Sequence, residues 1–117
     1  MAIYSKLPLS GSVNGKQILV TSTTSGSATQ IHTAVAGASS MDEIYLYAYN
    51  EATSSVQLSI LWGGTVEPNN VFRTSIPSKS GRTMLSDGML LQNSLIISAY
   101  ADAANFINID GFVNRIV

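Results

Sequence analysis

The sequence predicts an all-β domain, an antiparallel β-sandwich with a jelly-roll-like arrangement of about eight to ten short strands. Short apolar segments alternate with polar positions at a period of two, and clusters of Gly, Pro, Ser and Asn separate them at roughly 8–12-residue intervals. No window carries the apolar repeat of about 3.6 residues that a helix requires. An open barrel is the alternative arrangement of the same strands.

The strand pattern is clearest in the segment 43–50. Its alternating positions place apolar side chains on one side and three tyrosines on the other: Ile44, Leu46 and Ala48 against Tyr45, Tyr47 and Tyr49. The predicted strands span residues 16–21, 29–35, 43–50, 55–62, 71–76, 82–85, 89–91, 94–101 and 106–113. Residues 63–70 form a longer loop, and Asp110-Gly111 predicts a β-bulge in the last strand.

Composition favours one weakly charged domain of 117 residues, in which only 11% are charged and the net charge is −1. Few charges suit a surface that docks against other proteins, although an ordinary neutral β-domain has the same composition. The basic residues are scattered, which argues against direct nucleic-acid binding. With no cysteine, disulfides and thiolate metal sites are excluded.

Two regions are predicted, an N-terminal arm over 1–14 that pairs with a neighbour and a sandwich domain over 15–117. The first residues lack the pattern of a signal peptide, and no apolar segment approaches the roughly 20 residues of a spanning helix. We therefore expect synthesis in a cytoplasm and no membrane partner.

Candidate catalytic groups are few. His32 is the only histidine, lies out of phase with Ile31 in its strand, and is expected at the surface or in an interface. Most carboxylates fall at turns, where they are ordinary solvated residues. Asp110 is expected to cap the Gly111 bulge or to pair with Arg115. These patterns predict no catalytic, cofactor-binding or metal-binding residue and no enzymatic activity.

The three tyrosines of segment 43–50 are the most informative feature. A row of tyrosines occurs at protein interfaces, on sugar-binding sheets, and in a second core beneath a covering loop. All three interpretations stay open on the residues alone. Trp62, at the end of its strand, is expected to fill a gap in the core.

Several segments together resemble small virion proteins of tailed bacteriophages, of the capsid decoration or cement type. The resemblance runs from about residue 30 to the end, and no single motif is diagnostic. The segments are Ile31-His32-Thr33-Ala34, Asp42 to Asn50, Leu61-Trp62-Gly63-Gly64-Thr65, Ile76 to Gly81, Leu90 to Leu95 and Gly111 to Ile116. The resemblance implies a β-sandwich that bridges major capsid subunits, forms homotrimers, and has no catalytic residues.

With this resemblance, the expected partners are the major capsid protein and further copies of the chain, and the expected location is the capsid surface of a virion. The expected contact residues are Tyr4 in the arm, Tyr45, Tyr47, Tyr49, Phe112 and Arg115. The alternative is a carbohydrate- or receptor-binding module of a phage tail, which would use the same tyrosines. A small hydrolase built around His32 is a third and weaker hypothesis.

Overall fold

A computed structural model describes residues 3–117 and confirms the all-β prediction. The strands of this part of the chain are β1 (Tyr4–Pro8), β2 (Ile18–Leu19), β3 (Thr29–Thr33), β4 (Met41–Asn50), β5 (Val56–Trp62), β6 (Val71–Ile76), β7 (Thr83–Leu91), β8 (Ile96–Ala101) and β9 (Ile107–Ile116). A 3₁₀ turn, Ser25–Ser27, lies between β2 and β3. Within residues 3–117 there is no helix with the length and apolar character needed to cross a membrane.

The strands form two antiparallel sheets that pack as a sandwich. Sheet A has the order β1-β9-β4-β7, with β2 also paired to β9, and sheet B has the order β3-β8-β5-β6. The pairings are nested, because β1 pairs with β9, β3 with β8, β4 with β7 and β5 with β6. The two antiparallel sheets confirm the predicted β-sandwich, and the jelly-roll-like arrangement stays a prediction.

The core lies between the inner faces of the sheets and follows the alternation of the sequence. On β4, Ile44, Leu46 and Ala48 are fully buried, while the tyrosines between them are half-buried on the opposite face. From sheet B, Leu58 and Ile60 enter the same core, and Trp62 packs against it. Full burial of one Leu or Ile side chain contributes about 1.5–3 kcal/mol, so the two-residue period determines which face of each sheet turns inward.

The predicted bulge at Asp110-Gly111 is wrong. The pairing of β4 with β9 runs without a shift from Met41↔Ile116 to Asn50↔Ile107. The irregularities lie instead in β7, whose register against β4 shifts twice. Segments 82–85 and 89–91, predicted as separate pieces, are therefore joined in one bulged strand.

The N-terminal segment is part of the sandwich, and the expectation of a free arm over residues 1–14 is corrected for its described residues. Strand β1 pairs with β9 of the same chain, from Tyr4↔Ile116 to Pro8↔Phe112. Leu9, which follows it, is buried in the core. A short strand containing Lys and Pro is typical of a sheet edge, and it gives a weak strand signal. Residues 1 and 2 lie outside the described residues.

Candidate functional site

The outer face of sheet A brings together five of the six predicted contact residues. Tyr45, Tyr47 and Tyr49 point outward because the residues between them fill the core. The pairing of β4 with β9 places Phe112 beside Tyr45 and Asp110 beside Tyr47 on the same face. Tyr4 reaches the same face from the edge strand, opposite Ile116. We call this surface the tyrosine face.

A stack of aromatic rings forms the centre of the tyrosine face. The rings of Tyr45 and Phe112 lie 4.7 Å apart between centroids, with an interplanar angle of 13°. The ammonium group of Lys6 lies 4.3 Å from the centroid of the Phe112 ring. Stacking and cation–π contacts of this kind each contribute about 0.5–1.5 kcal/mol. These contacts fix the rings in place and attach the edge strand β1 to the middle of the sheet.

Tyr47 is covered by a second cation, the guanidinium of Arg82, at 4.4 Å from its ring centroid. Arg82 also donates hydrogen bonds to Asp110 at 3.1 and 3.2 Å. The expectation that Asp110 caps a bulge or pairs with Arg115 is therefore wrong. Asp110 lies on the outer side of a regular strand, where Arg82 reaches it from the loop before β7. This exposed ion pair is worth about 0–1 kcal/mol and mainly orients Arg82 over the ring.

Tyr49 is held by a hydrogen bond that its hydroxyl donates to Glu51 at 2.6 Å. This hydrogen bond, with a smaller effect of burial and of the negative charge of Glu51, raises the pKa of the Tyr49 hydroxyl. The phenol therefore stays protonated and acts as a donor rather than as a base.

Exposed apolar side chains surround this packed centre. Tyr4 is 71% exposed, Met84 55% and Leu90 53%. Apolar groups around immobilised aromatic rings are typical of surfaces that bind other proteins, because little entropy is lost on contact. The tyrosine face is therefore chemically suited to docking.

Arg115, the sixth predicted contact residue, does not belong to the tyrosine face. Its guanidinium donates to both carboxylate oxygens of Asp42, at 2.8 and 3.0 Å. Asp42 is fully buried, and Arg115 retains 28% side-chain exposure. Arg115 shares the inward phase of Val113, so it turns towards the interior and neutralises a buried carboxylate. Arg115 thus has a structural role at Asp42, and its part in an interface stays a prediction.

His32 is buried, contrary to the expectation of a surface or interface position, with 1% exposure. The register of β3 against β8 shifts between Gln30 and His32. This irregularity turns the consecutive residues Ile31 and His32 both inward, which strict alternation does not predict. The His32 Nε2 lies 2.8 Å from Asp42 Oδ2, and Nδ1 accepts a hydrogen bond from the Ser10 N–H at 3.0 Å.

The buried cluster of His32, Asp42 and Arg115 connects the two sheets. His32 lies on β3 of sheet B, whereas Asp42 and Arg115 lie on β4 and β9 of sheet A. The Val35 N–H also donates to Asp42, at 3.1 Å. Every buried polar side-chain atom of the cluster thus has a hydrogen-bond partner, and the cluster acts as a polar connection within an apolar sandwich. Across residues 3–117, no three His, Asp or Glu side chains are grouped to hold a metal ion.

Acid is expected to weaken this connection. Burial opposes ionisation of Asp42, but hydrogen bonds from Arg115 and His32 and the charge of Arg115 together hold its pKa below the ordinary 3.8. A carboxyl with a lowered folded-state pKa contributes full stability above its ordinary value. We expect that contribution to be lost as the pH falls from about 3.8 through the lowered value, because the unfolded chain takes up the proton first.

The measurement is urea unfolding of the wild type and of Asp42→Asn at about pH 5 and about pH 3. The wild type should lose more stability between the two pH values than Asp42→Asn does. Equal losses in the wild type and Asp42→Asn would contradict the assignment.

A pocket lies between strand β8 and the loops before it and after β5. The pocket, of about 290 Å³, is lined by Gly63, Gly64, Thr65, Ser94, Leu95, Ile96 and Ser98. Nearby, Glu67 accepts hydrogen bonds from Arg73 and from the Tyr100 hydroxyl, which fasten its loop to sheet B. The pocket lining contains hydroxyls and apolar groups but no ionisable side chain, so it lacks an acid, a base or a charged anchor.

The residues of the tyrosine face and of the buried cluster differ in how far the sequence predicts their positions. Strand alternation identified the three tyrosines, but the contacts of Lys6 and Arg82 depend on register and loop geometry. The inward position of Asp42 and Arg115 could have been predicted, because they have the same strand phase as the buried Ile44 and Val113. Extending the predicted strand 43–50 by one residue at its start, and the predicted strand 106–113 by two residues at its end, would have placed both side chains inside.

Comparison of the chain with family models, curated proteins and solved structures gave no match.

Proposed function

We propose that this chain is a structural virion protein that decorates a phage capsid and stabilises it by bridging major capsid subunits. The tyrosine face is the observation that carries the proposal. It presents exposed apolar groups on the outside of a five-stranded sheet, around rings fixed by stacking and by two cations. The resemblance to decoration proteins supplies the class of partner.

The arrangement of the rings favours protein docking over the carbohydrate-binding alternative. Sugar recognition on a sheet uses an open aromatic face on which a pyranose ring can stack. Here Arg82 covers one face of Tyr47, and Phe112 lies between Tyr45 and Lys6. Sugar stacking would have to displace these contacts, whereas a protein partner can pack against the exposed edges and the surrounding apolar side chains.

The same residues support a binding role over a hydrolytic one. The single imidazole is buried, and both of its nitrogens are engaged by Ser10 and Asp42. A general base needs a free nitrogen within reach of its substrate. A structural role therefore explains His32 better than a catalytic one. In this proposal the protein is not an enzyme.

The proposed mechanism is mass action. A subunit that binds the assembled shell but not its dissociated parts stabilises the shell by its binding free energy, and many copies add. Self-association into homotrimers would increase attachment, because three modest contacts act together. In this proposal the protein is made in the host cytoplasm and resides on the capsid surface, and neither nucleic acid nor membrane is a partner.

The test is co-sedimentation of purified variants with expanded, DNA-free shells of the parent phage assembled without this chain. Met84→Asp is expected to weaken binding by about tenfold or more, because it places a charge within the docking surface. Met84 is 55% exposed, so folding stability should change by no more than about 0.5 kcal/mol.

The matched control is Ser75→Asp, which adds the same charge at an exposed position of β6 in sheet B. It should bind shells like the wild type. A shell affinity that falls for Ser75→Asp and not for Met84→Asp would exclude the tyrosine face. Failure of the wild type to bind any shell would overturn the capsid role itself.

A further inference from the structure

The loop after β1 is attached to β3 by contacts that converge on His32 and its neighbours. The Ser10 N–H donates to His32 Nδ1 at 3.0 Å, and the Thr33 N–H donates to the Ser10 hydroxyl at 2.7 Å. The Gly11 N–H donates to the Ile31 carbonyl at 2.9 Å. At Gly11 a Cβ would lie 2.6 Å from the Gln30 carbonyl oxygen, so the loop is packed directly on the strand backbone.

The hydrogen bonds fix the protonation state of the buried ring. A backbone N–H can only donate, so Nδ1 of His32 must present a lone pair to Ser10. The single ring proton is therefore on Nε2, which donates to Asp42 at 2.8 Å. The structure thus requires a neutral imidazole. A second proton, on Nδ1, would point at the Ser10 N–H, and two donors would face each other in a buried site.

Charged groups face the ring from two elements of sheet A. Asp42 on β4 faces the imidazole and favours a positive charge there, while Arg115 on β9 lies behind Asp42 and opposes it. Strand β8 also pairs with β3, and its one titratable residue is Tyr100, whose hydroxyl donates to Glu67. The loop after β1, residues 9–12, contains no titratable side chain. Histidine is the side chain that ordinarily changes charge between about pH 5 and pH 8.

We propose that His32 is a proton-operated latch for the loop after β1: its protonation releases residues 10–12 from β3, while Leu9 stays in the core. The rest of the sandwich stays folded, since Asp42 keeps both hydrogen bonds from Arg115 and the Val35 N–H. Release exposes the outer edge of β3, the terminal strand of sheet B, where a strand of another chain can pair. This inference does not depend on the proposed capsid role.

The experiment is a pH titration of the ¹⁵N-labelled full chain by NMR between about pH 7.5 and pH 5. The amide signals of Ser10, Gly11 and Thr33 should move with the same midpoint as the His32 ring signals. Hydrogen-exchange protection of the Gly11 amide, corrected for intrinsic rates, should fall at least about tenfold. The amides of Leu58 and Ile60 in the core of sheet B should keep their protection throughout.

His32→Gln is the matched variant, because its amide can accept from Ser10 and donate to Asp42 but does not titrate. Its Gly11 amide should show no pH-dependent loss of protection. Three results would overturn the latch: ring protonation that leaves Gly11 protected, equal loss in both proteins, or a ring that stays neutral until the whole sandwich unfolds. If the variant does not fold, the coincidence of midpoints in the wild type decides.

Discussion

Replacing Asp42 with alanine is expected to destabilise the protein by about 3 kcal/mol. The substitution leaves His32 without the acceptor for its Nε2 proton and leaves the guanidinium of Arg115 without its carboxylate. Breaking one side of a buried ion pair typically costs about 3–5 kcal/mol, because the remaining charge is desolvated and unpaired. Arg115 is partly exposed and can turn to water, which places the effect at the lower end of that range.

Urea unfolding at neutral pH measures this loss, with Glu43→Ala as the control. Glu43 is adjacent on β4, half-buried, and on the opposite face of the strand. We expect its replacement to cost no more than about 0.5 kcal/mol. A loss below about 1 kcal/mol for Asp42→Ala would mean that the cluster adds little to the connection between the sheets.

Replacing Gly111 with alanine is expected to prevent stable folding. At this position a Cβ would lie 1.9 Å from the carbonyl oxygen of Tyr45 and 3.2 Å from the Cα of Leu46. Both atoms are backbone of β4, the central partner of β9, so no side-chain rotation can relieve the overlap. The two strands would have to separate in the middle of sheet A, and we expect a cost above about 4 kcal/mol.

Soluble yield, circular dichroism and thermal unfolding test this prediction. Gly26→Ala is the control, since no heavy atom lies within 4 Å of the position its Cβ would take. Gly26→Ala should fold like the wild type, with a stability change of no more than about 0.5 kcal/mol. A Gly111→Ala protein that unfolds within a few degrees of the wild type would show that sheet A accommodates the methyl group.

The all-β class could be predicted because it depends on the period of the apolar residues. Ile44, Leu46 and Ala48 must lie on one face of an extended chain, whatever their partner strand is. The sequence also indicated that position 111 requires glycine, but it did not show which structural constraint imposes the requirement. A bulge and a close approach of two backbones both favour glycine, and only the register distinguishes them.

The buried cluster could not be predicted in full, because one of its members breaks the strand alternation. His32 turns inward through the register shift in β3, and a shift of this kind leaves no fixed residue signature. Its partner Ser10 lies far away along the chain, in a segment whose strand pattern is weak. The sequence predicted the row of tyrosines at the centre of the tyrosine face. It did not predict the contacts of Lys6 and Arg82, because these cations reach the rings from other elements.

The two register shifts of β7 bear on what happens when many sandwiches are crowded together. β7 is the edge strand of sheet A at the end opposite β1. Because its register against β4 shifts twice, the backbone groups on its free edge do not form a regular row. A strand from a second molecule pairs poorly with such an irregular edge, so edge-to-edge aggregation through β7 is disfavoured. A protein with so few repelling charges can thus accumulate at high local concentration without polymerising into fibres through this side.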